Sequence, residues 1–358
     1  MFKLLKSNNI AEIKSLLIEL EIINNNWGNI QKCNLMFKTK LGYTDEKQID
    51  IYLRPETAQG IFSNFSNVQK TGRMKIPFGI AQIGKAFRNE IIARQFIFRM
   101  KEFEQMEMQF FIAPHEEKKW FSYWKNIRLK WYLSLGLDKY YFKFKNHTKL
   151  AHYANAATDI EYKFTFGFKE LEGIHSRTDF DLRNHQKFSK KKLQYYDPYK
   201  KCCYIPYVIE TSAGLDRIFL SIFSYSLKKE LLPNGNSRIV LKLPPTIAPI
   251  KAAIFPLVNK DGLPEIAINI FNKLKLYYNI IYEEKESIGK RYRRQDAIGT
   301  PFCITVDYES LSDNNVTIRF RDSMLSKRVS IKNLKKILDN HINMKILLKK
   351  IINIYNKN

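Results

Sequence analysis

The chain has 358 residues, 45% of them apolar, which is enough for two or three domains with substantial cores. Lys and Arg number 60 against 35 Asp and Glu, a formal net charge of +25. An excess of that size fits a polyanionic partner, though abundant Lys, Ile and Asn also fit the drift of an AT-rich genome. The four cysteines, Cys33, Cys202, Cys203 and Cys303, form no C-x-x-C pair, which argues against a zinc ribbon or a disulfide framework. With no apolar run of about 18 residues and no signal-peptide pattern, a soluble cytoplasmic protein without a membrane partner is expected.

Residues 1–40 carry a short helical pattern over 10–23, an Asn24-Asn25-Asn26 turn and then irregular polar sequence, and read as a remnant segment. A first domain is expected over 41–236. It starts with a strand over 49–53, ended by Arg54-Pro55-Glu56, and a helix over 57–68 with Thr57 as its N-cap. Strands over 78–90 and 101–112 form a hairpin whose loop of about ten residues is rich in arginine. An amphipathic helix over 116–135 places Trp120, Trp124 and Trp131 at helical spacing, facing a core. Residues 185–203, rich in Lys and Tyr, read as a loop, followed by a strand over 204–209 and a helix over 214–228. The Leu-Pro-Asn-Gly-Asn-Ser run at 232–237 is a break. Over 237–358 strands and helices alternate: strand 252–256, helix 265–277, strand 279–283, helix 291–297, strands 302–306 and 316–321, then a terminal helix. The expected fold class is α+β, an antiparallel sheet domain followed by a smaller α/β domain.

Four strings carry chemistry. Arg88, Arg94 and Arg99 crowd the hairpin loop, and planar guanidinium forks suit phosphate oxygens. On the following strand Phe103, Gln105, Glu107 and Gln109 share one face, opposite Met106, Met108 and Phe110. That row fits a polar ligand site or the wet face of a half-exposed sheet. Glu210 to Arg217 joins a strand to a helix through small residues, placing Arg217 on the first turn, where anions bind. Glu56 ends a strand at a helix start. Glu170 and Glu172, with Arg177, Asp179 and Asp181 beyond, offer carboxylates for Mg²⁺ or for ordinary ion pairs and caps.

Together these strings resemble the class II aminoacyl-tRNA synthetases: Phe87-Arg88-Asn89-Glu90 is similar to their motif 2, and Gly214-Leu215-Asp216-Arg217 to motif 3. Within that class the chain resembles the dimeric glycyl-tRNA synthetases, through YLRPETAQGIF (52–62), FRNEIIARQFIFRMKEFEQMEMQFF (87–111), KELEGIHSRTDFDL (169–182), ETSAGLDR (210–217) and ESIGKRYRRQDAIGTPFCITVD (286–307). The resemblance implies a ligase that activates glycine with ATP and loads it onto tRNA-Gly. It implies an ATP site of Arg88, Asn89, Glu90, Phe98, Arg99, Met100, Lys101, Glu102, Phe103, Glu170, Leu171, Gly214, Leu215, Asp216 and Arg217. In it Arg88 and Arg217 act on the phosphates, Phe103 stacks on adenine and Glu170 holds Mg²⁺. The implied glycine site is Glu56, Phe103, Glu104, Gln105, Met106, Glu107, Glu210, Thr211, Ser212, Ala213 and Gly214. For a substrate without a side chain, selection rests on ammonium recognition and on a pocket too small for a methyl.

For tRNA the resemblance implies Arg94 on the motif 2 loop, near the acceptor end. In the C-terminal domain, read as anticodon-binding, it implies Lys290, Arg291, Arg293, Arg294 and Arg321, interleaved with Tyr292 and Phe320. The chain departs from the family pattern before RPET, where only CNLMFKTKLG (33–42) is recognisable, so the motif 1 segment that builds a homodimer is not found. Ala93 and Phe96 replace Pro and Gly in the motif 2 loop, and Phe168-Lys169 replaces Trp-Gly. The alternative is a non-catalytic synthetase paralogue that binds nucleic acid.

Overall fold

The computed structural model describes residues 10–21, 34–44, 47–232, 235–345 and 348–349. The chain forms two compact units, Met1–Glu56 with Lys85–Phe103, and Thr57–Gly84 with Glu104–Asn358. The expected turn at Asn24-Asn25-Asn26 and Cys33 lie outside the described residues.

In the first unit helix α1 (Ile10–Glu19) is followed by an antiparallel ribbon of β1 (Lys38–Leu41) and β2 (Ile49–Tyr52), with Lys38 opposite Tyr52 and Leu41 opposite Ile49. The Lys38 ammonium pairs with Asp50 at 2.6 Å.

In the second unit helix α2 (Ala58–Thr71) buries Ala58, Ile61, Phe62 and Phe65, the i, i+3, i+4, i+7 stripe of an amphipathic helix. These pack on Phe78 and Phe111, with the Phe65 and Phe111 rings 4.6 Å apart. Thr57 occupies the N-cap position, but its hydroxyl does not cap; it donates to Glu107. Strands β3 (Phe78–Phe87) and β4 (Glu102–Ile112) carry the chain into the first unit and back. Helix α3 (Glu117–Ser134) follows. Its tryptophans are only half-buried, Trp120 and Trp124 packing 4.9 and 5.1 Å from Phe110, and Tyr132 is the large side chain it buries completely.

Three strands then appear where none is read in the sequence: β5 (Phe142–Asn146), β6 (Ala156–Phe164) and β7 (Gly167–Thr178). Consecutive residues of β6 and β7 are buried, so the period-two signature of a half-exposed strand is erased. The expected loop at 185–203 is instead the end of α4 (Phe180–Ser189) and a small hairpin of β8 (Tyr195–Asp197) and β9 (Cys202–Tyr204). Strand β10 (Tyr207–Gly214) completes a six-stranded sheet of order β3-β4-β10-β7-β6-β5. The pairings β4–β10, β10–β7, β7–β6 and β6–β5 are antiparallel.

Helix α5 (Leu215–Ser226) ends two residues short of its expected limit, because the chain turns into a ribbon of β11 (Leu227–Leu231) and β12 (Ser237–Leu241). The C-terminal region runs β13 (Ala252–Pro256), α6 (Leu263–Leu274), β14 (Ile280–Tyr282), α7 (Ile288–Ile298), β15 (Phe302–Val306), the single turn α8 (Ser310–Asp313), β16 (Asn315–Phe320), β17 (Ser326–Ser330) and α9 (Leu334–Ile342). Its sheet has the order β14-β13-β15-β16-β17, parallel among β14, β13 and β15 and antiparallel beyond. Ile254, Ile304, Val306 and Ile318 pack with Leu263, Ala267, Ile270 and Leu274 of α6 and with Leu334 and Leu338 of α9. Burying each Leu or Ile side chain in such a core contributes about 1.5–3 kcal/mol.

Candidate active site

In the first unit the arginine loop spans residues 88–101 and turns through Gln95 and Phe96, both left-handed at φ 60° and 53°. Phe98 is buried and anchors the turn, whereas Arg94 and Phe96 are exposed. The Arg88 backbone N–H donates to Lys101 O at 2.9 Å, and Asn89 N–H to Leu35 O at 2.8 Å, pinning the loop base. The Arg88 side chain donates from Nε to Pro55 O at 3.3 Å and lies over the Phe103 ring at 5.3 Å. Arg99 reaches Glu90 at 3.4 Å. The loop thus carries two pairs, Arg88 on the Phe103 ring and Arg99 with Glu90, which supply an aromatic face, guanidinium groups and a carboxylate. Such a face suits a purine base and its phosphates. Met100 is half-buried, Lys101 is exposed, and Glu102 pairs with Lys85 at 2.5 Å.

In the second unit β-sheet register builds a polar face residue by residue. Gln109 lies opposite Glu210 and Glu210 opposite His175; Glu107 lies opposite Ser212 and Ser212 opposite Gly173. Gln105, Glu107, Gln109 and Glu210 are all buried, so the face is not the wet side of a half-exposed sheet. Gln105 Nε2 donates to Glu107 Oε1 at 2.8 Å and to Ser212 Oγ at 2.9 Å, while Glu107 Oε2 accepts from Thr57. Gln109 Nε2 and Arg177 each donate to Glu210 Oε2 at 2.7 Å. Arg177 also grips Asp181 with both ends of its fork, at 2.8 and 3.0 Å, and lies 4.1 Å from the Tyr153 ring centre. The amide oxygens of Gln105 and Gln109 are buried without a hydrogen-bond partner among the described residues. A buried acceptor left unmade is costly, so two beside two carboxylates form a standing demand for a donor.

Burial, the largest single influence, disfavours charge on Glu210 and His175, but the Glu210–His175 contact at 3.1 Å together with the neighbouring charges and the Gln109 hydrogen bond outweighs it. The Glu210 carboxyl falls to about 2, with the Arg177 charge adding to the pull, and the His175 imidazole rises. At neutral pH Glu210 is thus firmly ionised.

The contiguous runs expected to hold glycine are split by strand alternation. Gln105, Glu107, Glu210 and Ser212 share the polar face, whereas Met106, Thr211 and Ala213 occupy the alternate positions, and Glu104 is exposed. Glu56 is half-buried in the first unit. Two members of the expected phosphate and Mg²⁺ set meet directly: Arg217, on the first turn of α5, donates to Glu170 O at 2.9 Å and approaches Glu170 Oε2 at 3.4 Å. Leu171 is buried, and Gly214, Leu215 and Asp216 make the junction of β10 with α5. Gln109 and Arg177, read in the sequence as part of the polar row and of the fourth string, were not placed among the glycine- or ATP-binding residues, and Thr57 and His175 were missed. Strand alternation two residues before Arg177 reaches His175; Thr57 has no such signal.

In the C-terminal region two expected RNA-facing cations are corrected. Arg291 and Arg321 are 1% and 2% exposed. Arg291 donates to the backbone oxygens of Pro256, Leu257 and Glu283, and Arg321 to those of Gly299 and Leu243, so both brace the fold. Tyr292 and Phe320 are likewise engaged: the Tyr292 hydroxyl lies 2.7 Å from Thr305 Oγ1, and Phe320 packs on Phe302 and His341. Lys290, Arg293 and Arg294, on α7, remain 70%, 47% and 47% exposed at their side chains.

Residues 251–341 match the anticodon binding domain family. An antiparallel catalytic-type sheet followed by such a domain is the architecture of a class II aminoacyl-tRNA synthetase. The chain is similar to the glycine–tRNA ligase of Borreliella burgdorferi, 51% identical over 325 residues, covering 89% of this chain and 73% of that protein. Similar matches are the glycine–tRNA ligases of Acetivibrio thermocellus (53% over 308 residues, 86% and 66% covered) and Geobacillus thermodenitrificans (50% over 340 residues, 93% and 72%). The chain belongs to the glycine–tRNA ligase family. Among the described residues no helix is long and apolar enough to cross a membrane.

Proposed function

We propose that this chain activates glycine with ATP and transfers the glycyl group to the 3′ end of tRNA-Gly, with Mg²⁺ on the nucleotide. The observation that carries the reading is the polar face of β4 and β10, where Glu107 and Glu210 stand with two amide oxygens that have no partner among the described residues. That set wants a small cation bearing several N–H donors, which is what an amino acid's ammonium group presents. Gly173 at its border has no room for a side chain, since a β-carbon there would come within 2.8 Å of His175 Cε1.

The glycine carboxylate attacks the α-phosphorus of ATP in line, the bond to the bridging oxygen breaks and pyrophosphate leaves with the electron pair. A terminal ribose hydroxyl of the tRNA then attacks the glycyl carbonyl, and AMP leaves. No side-chain nucleophile is needed; the protein positions and neutralises. Arg88 is assigned to the α-phosphate, Phe103 to the adenine, Arg217 to the γ-phosphate side and Glu170 to Mg²⁺, a hard cation suited to carboxylate oxygen. Arg94, Lys290, Arg293 and Arg294 are assigned to tRNA phosphates and bases.

The test is ATP–pyrophosphate exchange. Exchange that requires glycine and is not supported by alanine, threonine or proline is the expected result. A well-folded sample giving none with glycine favours the non-catalytic, RNA-binding alternative and overturns this reading.

A further inference from the structure

Beside the polar face, and outside the roles assigned above, His147, Asp159 and His175 each present one donor atom, all within 4.8 Å of one another. We infer that these three residues form a binding site for one zinc-class divalent metal ion. Three strands assemble it. Asp159 on β6 lies opposite Gly173 of β7, His175 lies two residues further along β7, and His147 follows β5, held by its N–H to Ala157 O at 3.1 Å. The side chains are 31%, 13% and 18% exposed for His147, Asp159 and His175, sheltered yet reachable from solvent.

Gly173 makes the gap in which the donors converge. A β-carbon at that position would stand 2.8 Å from His175 Cε1 and 3.7 Å from Asp159 Oδ1, inside the space between them. Without it the His147 Nε2 and Asp159 Oδ1 atoms meet at 2.8 Å.

The donor chemistry selects the ion. Two imidazoles and one carboxylate are borderline nitrogen and oxygen ligands, the set that holds Zn²⁺ with three protein groups and leaves a fourth position for water. Around zinc at about 2.0–2.1 Å, tetrahedral donors stand roughly 3.3 Å apart, so side-chain rotation alone closes the present spread.

His175 is oriented for the task from behind. Its Nδ1 faces Glu210 Oε1 at 3.1 Å, which leaves Nε2 as the ligating nitrogen. A carboxylate holding the far nitrogen of a metal-bound imidazole is the usual support that fixes tautomer and ring plane. The metal takes the place of the Nε2 proton, so binding weakens as pH falls below the imidazole range.

The experiment uses the full chain, stripped with EDTA, desalted and titrated with Zn²⁺ against a chromogenic chelator, with Co²⁺ as a spectroscopic substitute. The expected result is one Zn²⁺ per chain, and a Co²⁺ complex with the strong visible bands of four- or five-coordination and no thiolate charge transfer. His147→Ala and Asp159→Asn are each expected to weaken binding at least about tenfold, and a Cys202→Ser/Cys203→Ser double variant not at all. His147→Gln, with circular dichroism alongside, replaces His147→Ala if that variant fails to fold. The assignment is overturned by the absence of stoichiometric Zn²⁺ binding, by unchanged affinity in the His147 variants, or by thiolate bands in the Co²⁺ spectrum. Because the readout is metal occupancy, a failed exchange assay leaves it standing.

Discussion

Buried charge is used in two opposite ways in this molecule, once in the catalytic sheet and once in the anticodon domain. In the anticodon domain Asp296 is fully buried and answered on every side: Arg238 at 2.8 Å, Arg319 at 2.8 and 3.0 Å, and Arg293 at 3.6 Å. Arg238 spends its remaining donors on Arg321 O and Glu230. In the sheet, Glu107 and Glu210 are also buried, but the amide oxygens of Gln105 and Gln109 beside them have no donor among the described residues. A closed network holds a fold in one arrangement, and an open one holds a place for something that is not protein. The contrast is specific to these two clusters: each Asp296 oxygen accepts from a guanidinium, whereas the Gln105 and Gln109 amide oxygens accept from nothing among the described residues.

The comparison breaks most visibly at Asp296. Asp296→Ala leaves two buried guanidinium groups facing no carboxylate and is expected to cost about 3–5 kcal/mol of stability, read by urea unfolding. Glycine-dependent exchange below the melting transition should change far less. Arg88→Ala is the mirror case. Its side chain is exposed, so unfolding should be nearly unchanged, while exchange falls on the order of 10²–10³-fold as one fixed charge leaves the reacting phosphate. If Arg88→Ala unfolds the protein, or Asp296→Ala abolishes exchange in the folded state, the division between closed and open clusters fails.

A smaller effect is expected from Arg293→Ala/Arg294→Ala on α7. Binding of tRNA should weaken several-fold, and the slope of log affinity against log salt should shrink by roughly 2, about 1 for each arginine, measured by filter binding with exchange unaltered. The smallest concerns a surface pair. The hydrogen bond from Arg328 holds the Asp313 carboxyl down at about 2, below its ordinary 3.8. A depressed carboxyl contributes stability above its unfolded value and loses it as pH falls, here between about pH 4 and pH 2. Because the pair is exposed, the melting temperature should dip only slightly over that window, and Asp313→Asn should flatten the dip.

Much of this was legible in the sequence, for identifiable reasons. The hairpin, the Gln105-Glu107-Gln109 row and the Arg217 helix start each follow from local rules, strand alternation or helix entry, and the structure has them. Strands β6 and β7 were not legible, because covering both faces removes the periodicity that betrays a strand. Arg291 and Arg321 were misread for a related reason. In sequence a basic run looks like a solvated or RNA-facing stripe, and only the fold reveals which guanidiniums turn inward to backbone oxygens. Tyr292 shares that fate, lying between Arg319 and Phe255. Thr57 resembled a helix cap by position, and a tertiary partner took its hydroxyl instead.

The ribbon of β11 and β12 ties these regions together mechanically. Arg238 on β12 is held in the Asp296 cluster of α7, which fastens the ribbon to the anticodon domain. The same ribbon begins where α5 ends, and Arg217 stands on that helix's opening turn, a rod about 18 Å long away. The Asp296 cluster and the Arg217 guanidinium therefore stand at opposite ends of one continuous run of chain, the ribbon and α5.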